Sequence, residues 1–241
     1  MKNKLSPALL KDFPHIAAAI TDQETNDSIT SLNIDAIEIR IDKFLKFDAG
    51  YIKNNIEHRK ETKIPIILTI RNLKSEGGDE TISDDLKLKI FQSVISMVDA
   101  VDVELSFPLL SAVVRLAKKH QKTIIVSTHN FKSTPNAADL EKFFKNAKKK
   151  GADIVKIAAH AHSIDDMNRL LQFTLKHKND SVITMSLGNL GSISRLLFPL
   201  AGSLLTYSYI LAPSAPGQLP AKILADHLRI YSPPYKSKNP S

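Results

Sequence analysis

The chain has 241 residues, 43% hydrophobic and 24% charged, the balance of a globular protein with one large core or two small ones. It contains no cysteine, which excludes disulfides, thiolate nucleophiles and cysteine-ligated zinc, and is compatible with a reducing compartment. The net charge of +8 admits a polyanion partner such as nucleic acid. The lysines are scattered, however, and the one cluster, KNAKKKG (145–151), has no interleaved aromatics; a basic run before a glycine is what a helix C-terminus favours.

The basic start, MKNKLSPALLKDFPHIAAAI, lacks the continuous apolar stretch of a signal peptide, and no later segment approaches the ~20 apolar residues of a membrane helix. The expected location is cytoplasmic, with no membrane contact. Strand-like runs then recur along the chain: HIAAAIT (15–21), AIEIRID (36–42), PIILTIR (65–71), AVDVEL (100–105), TIIVSTH (123–129), DIVKIAA (153–159), VITMSL (182–187) and LLTYSYI (204–210). Between them lie helical patterns such as SDDLKLKIFQSVISMV (83–98) and DLEKFFKNAKKK (139–150), with apolar residues at i, i+3, i+4, acids early and lysines late. Alternation of this kind predicts a parallel sheet, and eight strands in about 240 residues predict a single-domain (β/α)8 TIM barrel over 1–231. The first crossover, DQETNDSITSLN, is short, so its helix is expected to be reduced. The end, SPPYKSKNPS (232–241), is expected to be a flexible tail.

Barrel chemistry gathers at the C-terminal ends of the strands, and polar residues stand there in order. Glu38 and Arg40 are two apart, so they share the lumen face of the second strand, either to bind a polyhydroxy substrate or to pair with each other. Arg71 ends the third strand, and SEGG follows it, with Glu76 beside two glycines that suit either ligand approach or a plain turn. Glu104 ends the fourth strand and His129 the fifth. The histidine is suited to acid–base work, with Glu104 one strand away able to orient it; a satisfied structural histidine fits the pattern equally.

In GADIVKIAAHAH (151–162), Lys156 interrupts an apolar run. Two roles remain open from the residues alone. A desolvated amine, kept neutral by Ile154, Val155 and Ile157, can attack a carbonyl and form a Schiff base. Alternatively the stem packs and the tip reaches a carboxylate. His160 and His162 resemble metal ligands on one strand face, but too few further ligands follow, so no metal is expected. The stretch MSLGNLGSISRLLFPL (185–200) leaves the seventh strand through two glycines toward Arg195, a pattern suited to anion binding by backbone N–H groups and a guanidinium. APSAPGQLP (212–220) offers Ser214 and Gln218 in a loop fixed by proline and glycine, either a substrate clamp or a rigid turn.

Taken in order, EIRID, R…EGG, STHNFKSTP, GADIVKIA, ITMSLGNLGSISR and SAPGQ resemble the type I 3-dehydroquinate dehydratases, the Schiff-base hydro-lyases (EC 4.2.1.10) of the shikimate pathway to chorismate and the aromatic amino acids. The resemblance runs from about Ile16 to the helix after Gln218. It implies dehydration of 3-dehydroquinate to 3-dehydroshikimate by a cytoplasmic homodimer that needs no cofactor and binds no nucleic acid. It further implies that Lys156 forms the imine, that His129 is the general acid/base, and that Glu104 is the acid of the family's D-x-E-L strand. Arg195 would bind the substrate carboxylate, Ser214 and Gln218 would close over it, and Glu38, Arg40 and Arg71 would contact hydroxyls. Glu76 would be the histidine's partner, although one residue more than the family's R-x-x-x-E-G-G separates it from Arg71. The alternatives are a class I aldolase-like barrel using the same lysine and a non-catalytic basic barrel binding a polyanion.

Overall fold

The strands of a parallel barrel look uniformly apolar because both faces are covered, yet they still alternate with a period of two. That period sorts the residues of this chain into two packed layers. Outward-facing Ile37, Ile39, Leu68, Val101, Val103, Ile124, Val126, Val155 and Ile157 form one core cluster with the helices. Inward-facing Ala17, Ala36, Ile67, Ala100, Ile125, Ile154 and Ile183 form a second cluster that fills the lower lumen. Small alanines on β1 and β2 against isoleucines on β3, β5, β6 and β7 let that layer interdigitate.

The computed structural model describes residues 5–12, 14–71 and 82–239. The eight expected strands are β1 (Ile16–Ile20), β2 (Ala36–Arg40), β3 (Ile66–Thr69), β4 (Ala100–Glu104), β5 (Thr123–Asn130), β6 (Ile154–His160), β7 (Val182–Leu187) and β8 (Thr206–Tyr209). They alternate with α1 (Asn26–Thr30), α2 (Ala49–Lys60), α3 (Asp84–Val94), α4 (Leu110–Lys119), α5 (Ala137–Lys149), α6 (Ile164–Lys176), α7 (Ser194–Leu200) and α8 (Ala221–Tyr231), and a short β9 (Leu219–Pro220) precedes α8. The sheet order is β7-β6-β5-β4-β3-β2-β1-β8-β9, parallel throughout. The ends meet where Leu204 N–H donates to Val182 O at 2.9 Å and Thr184 N–H donates to Ser203 Oγ at 2.9 Å. These bonds close a (β/α)8 barrel at the β7–β8 seam, in place of a continuous ladder.

Helix starts follow the sequence signals. Ser83, Asn136 and Ser163 accept a hydrogen bond from an N–H in the first turn of α3, α5 and α6, and acids stand in each of those turns. The basic cluster lies at the end of α5, with Lys148 and Lys149 in its last turn, so it is a helix terminus. The first crossover helix, α1, is five residues long, as its short connection predicts.

The chain end differs from the expected tail. Ser232 caps a further helix, α9 (Pro233–Lys238), whose Tyr235 is fully buried against Ile16, Leu224 and Leu228 and donates its hydroxyl to Asn33 O at 3.2 Å. The buried aromatic, with Lys238 Nζ on Asp35 Oδ1 at 2.5 Å and Arg229 Nε on Asn239 O at 3.1 Å, docks a segment whose composition otherwise reads as mobile.

Candidate active site

Above the apolar layer of the lumen, the inward positions of the strands turn polar. Strand pairing places Ser127 beside Lys156 and His129 beside Ala158, so Lys156 on β6 sits one inward layer below His129 on β5. Lys156 is 3% exposed. Its Nζ donates to Asp102 Oδ2 at 2.8 Å and to Glu38 Oε1 at 3.2 Å, and lies over the ring of Tyr207, 3.8 Å from its centroid. The lysine's surroundings are therefore two carboxylates and an aromatic face, not the apolar shell its sequence neighbours suggest. Val155 and Ile157 point outward into the helix layer, as the strand period requires, and only Ile154 shares the lumen face.

Asp102, absent from the sequence expectations, is the hub of this wall. It is fully buried, and besides Lys156 it accepts from Arg71 Nη2 at 2.5 Å, while Arg71 Nη1 donates to Ser127 Oγ at 2.6 Å. Burial alone would push the Asp102 carboxyl up, but the charges of Arg71 and Lys156 overcome that and hold it far below the usual carboxylate range. Glu38 also accepts from Thr69 Oγ1 at 3.0 Å. Glu38 and Arg40 share a face as expected, yet they do not pair. Arg40 instead forms a two-pronged contact with Asp42, Nε to Oδ1 at 3.1 Å and Nη2 to Oδ2 at 2.6 Å, and Arg71 N–H donates to the same Asp42 Oδ1.

His129 is buried, and its Nδ1 has no hydrogen-bond partner among the described residues. Glu104 Oε1 stands 3.9 Å away, too far for a hydrogen bond, so the expected orienting contact is not made. Burial, followed by the positive charges of Arg71 and Lys156, holds the imidazole well below its ordinary value of 6.5. Glu76, the other expected partner, lies outside the described residues.

The opposite wall is built by β7, α7 and β8. Arg195, near the start of α7, is 1% exposed; its Nη1 donates to Met185 Sδ at 2.9 Å, while Nε and Nη2 have no partner among the described residues. Burial pulls this guanidinium down to about 10, against the attraction of Glu38. It remains a cation at neutral pH with no ion-pair partner among the described residues, an arrangement suited to an anion. The first glycine before it does not offer its N–H to a ligand as the loop pattern suggests. Gly188 (φ +86) packs so close to His160 that a Cβ would meet its Nε2 at 2.7 Å, and its N–H donates to Pro216 O at 3.3 Å. His160 ends β6, and the His162 ring, 4.5 Å from it, contacts Lys132 O at 2.6 Å through Nε2.

Ser214 and Gln218 close the top. Gln218 Oε1 accepts from Ser214 N at 2.6 Å, Ser214 Oγ at 3.0 Å and Ala215 N at 3.2 Å, which folds this loop on itself over the barrel mouth. A Cβ on Gly217 would stand 2.3 Å from Gly188 O, so the β8 and β7 loops touch backbone to backbone. Glu38, Arg40, Arg71, His129, Lys156, Arg195, Ser214 and Gln218 all border one narrow cavity of about 30 Å³, together with Met185 and Tyr207. Every described residue expected in the site by sequence, Glu104 apart, lines it.

The pattern described as Type I 3-dehydroquinase matches residues 17–233. The chain belongs to that family. It is 36% identical to the 3-dehydroquinate dehydratase of Thermodesulfovibrio yellowstonii over 218 residues, 89% of this chain and 94% of that one. Among solved structures, the type I 3-dehydroquinate dehydratase of Clostridium difficile superposes with a TM-score of 0.84 at 29% identity, covering 94% of each chain. That of Aquifex aeolicus gives 0.80 at 30% identity, over 90% of this chain and 99% of that one. The reaction is therefore the dehydration of 3-dehydroquinate in the shikimate pathway, and the aldolase-like and polyanion-binding alternatives fall away.

Proposed function

We propose that this dehydratase works through a covalent imine between Lys156 and the C3 ketone of 3-dehydroquinate, with His129 moving the proton. The observation that carries the proposal is the position of Lys156 Nζ, buried between Asp102 and Glu38 on the lumen face, in the cavity that His129 and Arg195 also border. The Clostridium difficile relative, with covalent modified comenic acid, lends support from a neighbouring protein.

Attack by the lysine nitrogen forms the N–C bond, and the ketone oxygen leaves as water with two of the ammonium protons, so a protonated imine results without net proton uptake. The iminium withdraws electrons from C2–H. His129, held as the free base at neutral pH by burial and by Arg71 and Lys156, takes that proton and then, as imidazolium, delivers it to the departing C1 hydroxyl. Hydrolysis of the conjugated imine releases 3-dehydroshikimate and restores the lysine. Asp102, held ionised by Arg71, keeps the lysine nitrogen in place. Arg195 receives the substrate carboxylate, while Glu38, Arg40 and Arg71 face its hydroxyls. Ser214 and Gln218 cover the bound ring, and substrate entry requires their loop to move, since the cavity of about 30 Å³ holds little more than one water. Glu76 keeps its role as the histidine's partner within this proposal, and no metal or organic cofactor enters it.

The same proposal includes a cytoplasmic homodimer. The lack of cysteine suits a reducing compartment, and among the described residues no helix is long and apolar enough to cross a membrane. The outer face of α8 carries exposed Ile223, Ile230 and Tyr231, an apolar stripe available to a second copy. Light scattering at a monomer mass would remove the dimer. Borohydride reduction in the presence of substrate, followed by peptide mass analysis, is expected to tag Lys156; an unmodified Lys156 in active enzyme would end the imine mechanism.

A further inference from the structure

The mechanism above gives tasks to Arg195 and His129 but leaves one buried donor of the cavity idle. Tyr207, on the inward face of β8, is 2% exposed, and its hydroxyl has no hydrogen-bond partner among the described residues. A phenylalanine would supply the same ring face to Lys156 without burying an unsatisfied hydroxyl. The hydroxyl therefore implies an acceptor that arrives with the substrate.

Position selects which acceptor. Lys156 Nζ lies over the ring at 3.8 Å from its centroid, so the hydroxyl, on the rim, flanks the nitrogen instead of capping it. An oxygen on the carbon that Nζ attacks is two bonds from that nitrogen, and so within reach of a donor that flanks it. Other donors near Nζ are already engaged: Arg71 by Asp102 and Ser127, Arg40 by Asp42. Burial and the nearby Glu38 and Asp102 charges, opposed by Arg71 and Arg195, raise the phenol well above its ordinary value of 10, so the group keeps its proton and acts as a donor.

We propose that Tyr207 is a further catalytic residue, whose hydroxyl donates a hydrogen bond to the substrate oxygen on the carbon attacked by Lys156, first as ketone and then as carbinolamine hydroxyl. The proposal rests on the imine mechanism above. As the N–C bond forms, the carbonyl π pair moves onto that oxygen. The oxygen then takes two ammonium protons and leaves as water when the C–O bond breaks. Tyr207 retains its own proton throughout and stabilises the charge that develops on oxygen.

Tyr207→Phe keeps the ring over Lys156 and removes only the hydroxyl. Single-turnover mixtures quenched with borohydride at increasing times give the rate at which the Lys156 peptide gains the adduct mass. The expected result is a fall on the order of 10²-fold in that rate and in kcat, with KM changed little. Adduct growth at the wild-type rate would overturn the proposal. So would a loss confined to KM, which would assign the hydroxyl to carboxylate binding beside Arg195. Failure of the wild-type enzyme to form any adduct would instead remove the imine mechanism, so the two failures are distinguishable.

Discussion

The two walls of the cavity are built on opposite terms. On the β2–β6 side every charge has a partner: Lys156 with Asp102 and Glu38, Arg71 with Asp102 and Ser127, Arg40 with Asp42. On the β7–β8 side Arg195 and Tyr207 are as deeply buried, yet Arg195 Nε and Nη2 and the Tyr207 hydroxyl have no hydrogen-bond partner among the described residues. Buried polar groups are normally paired, and the exceptions call for an explanation. The paired wall has its cations matched in the free protein and holds Lys156 Nζ at a fixed place. On the proposed mechanism, oxygen atoms that the substrate brings complete the unpaired wall. The difference predicts that substitutions on the first side cost folding stability, whereas those on the second cost ligand binding or turnover alone.

The largest effect belongs to the histidine at the top of the paired wall. His129→Ala is expected to lower turnover by roughly 10²–10⁴-fold, the range of general acid–base catalysis, while the Lys156 adduct still forms with added product. Steady-state rates beside borohydride trapping check both halves. Near-normal turnover would show that another group moves the C2 proton.

Asp102→Ala removes the hub and leaves the Arg71 and Lys156 charges buried without it. Breaking a buried pair in this way costs about 3–5 kcal/mol, so the denaturant midpoint should fall well below that of the wild type. An unchanged midpoint would mean that the paired wall does not carry stability. Arg195→Gln tests the other wall with the opposite sign. It removes a buried cation with no ion-pair partner among the described residues, so folding stability should hold or rise, while binding loses a charge-assisted contact of about 1.5–3 kcal/mol and KM rises accordingly. A variant that unfolds more easily but binds substrate normally would reverse the assignment of the two walls.

Much of this site was legible in the sequence, because a strand with period two and a polar residue at its C-terminal end gives both face and height in a barrel. Lys156, His129, Arg71 and Glu38 each interrupt or end an apolar run, and that contrast identifies them. Asp102 has no place in that reading although it stands two residues before Glu104 and so shares its face; Glu104, at the strand end, draws the eye toward His129, while Asp102, one layer lower, is bonded to Lys156 and Arg71. Tyr207 sits in TYSY, where outward Thr206 and Ser208 are polar too, so no contrast marks the inward position. The apolar shield assigned to Val155 and Ile157 fails by the same period that found Lys156, since adjacent strand residues face opposite ways. Arg40 has an acid two residues away on either side, Glu38 and Asp42, so strand period alone does not decide between them, and the structure pairs it with Asp42 in the turn Ile41–Lys43.

The smallest effect, and the one that reads the electrostatics of the paired wall directly, is the acid side of the pH profile. Burial and the Arg71 and Lys156 charges disfavour the His129 imidazolium, so the folded enzyme protonates this group well below the ordinary 6.5, whereas the unfolded chain protonates it near that value. Between those two points the unfolded state binds the extra proton. The stability contributed by neutral His129 is thus fully present above about 6.5 and is lost as pH falls toward the folded value. Asp102 acts in the same direction lower down: its folded carboxyl is depressed, so its contribution holds above the ordinary 3.8 and is lost as pH falls below that. Activity should follow the histidine, with kcat/KM level through pH 6.5 and an acid limb only below it. Denaturant midpoints measured from pH 7 down to 5 should decline less steeply in His129→Gln than in the wild type. A wild-type acid limb centred at or above 6.5 would mean that the cations of the paired wall do not reach His129, and the contrast between the walls would have to be drawn without it.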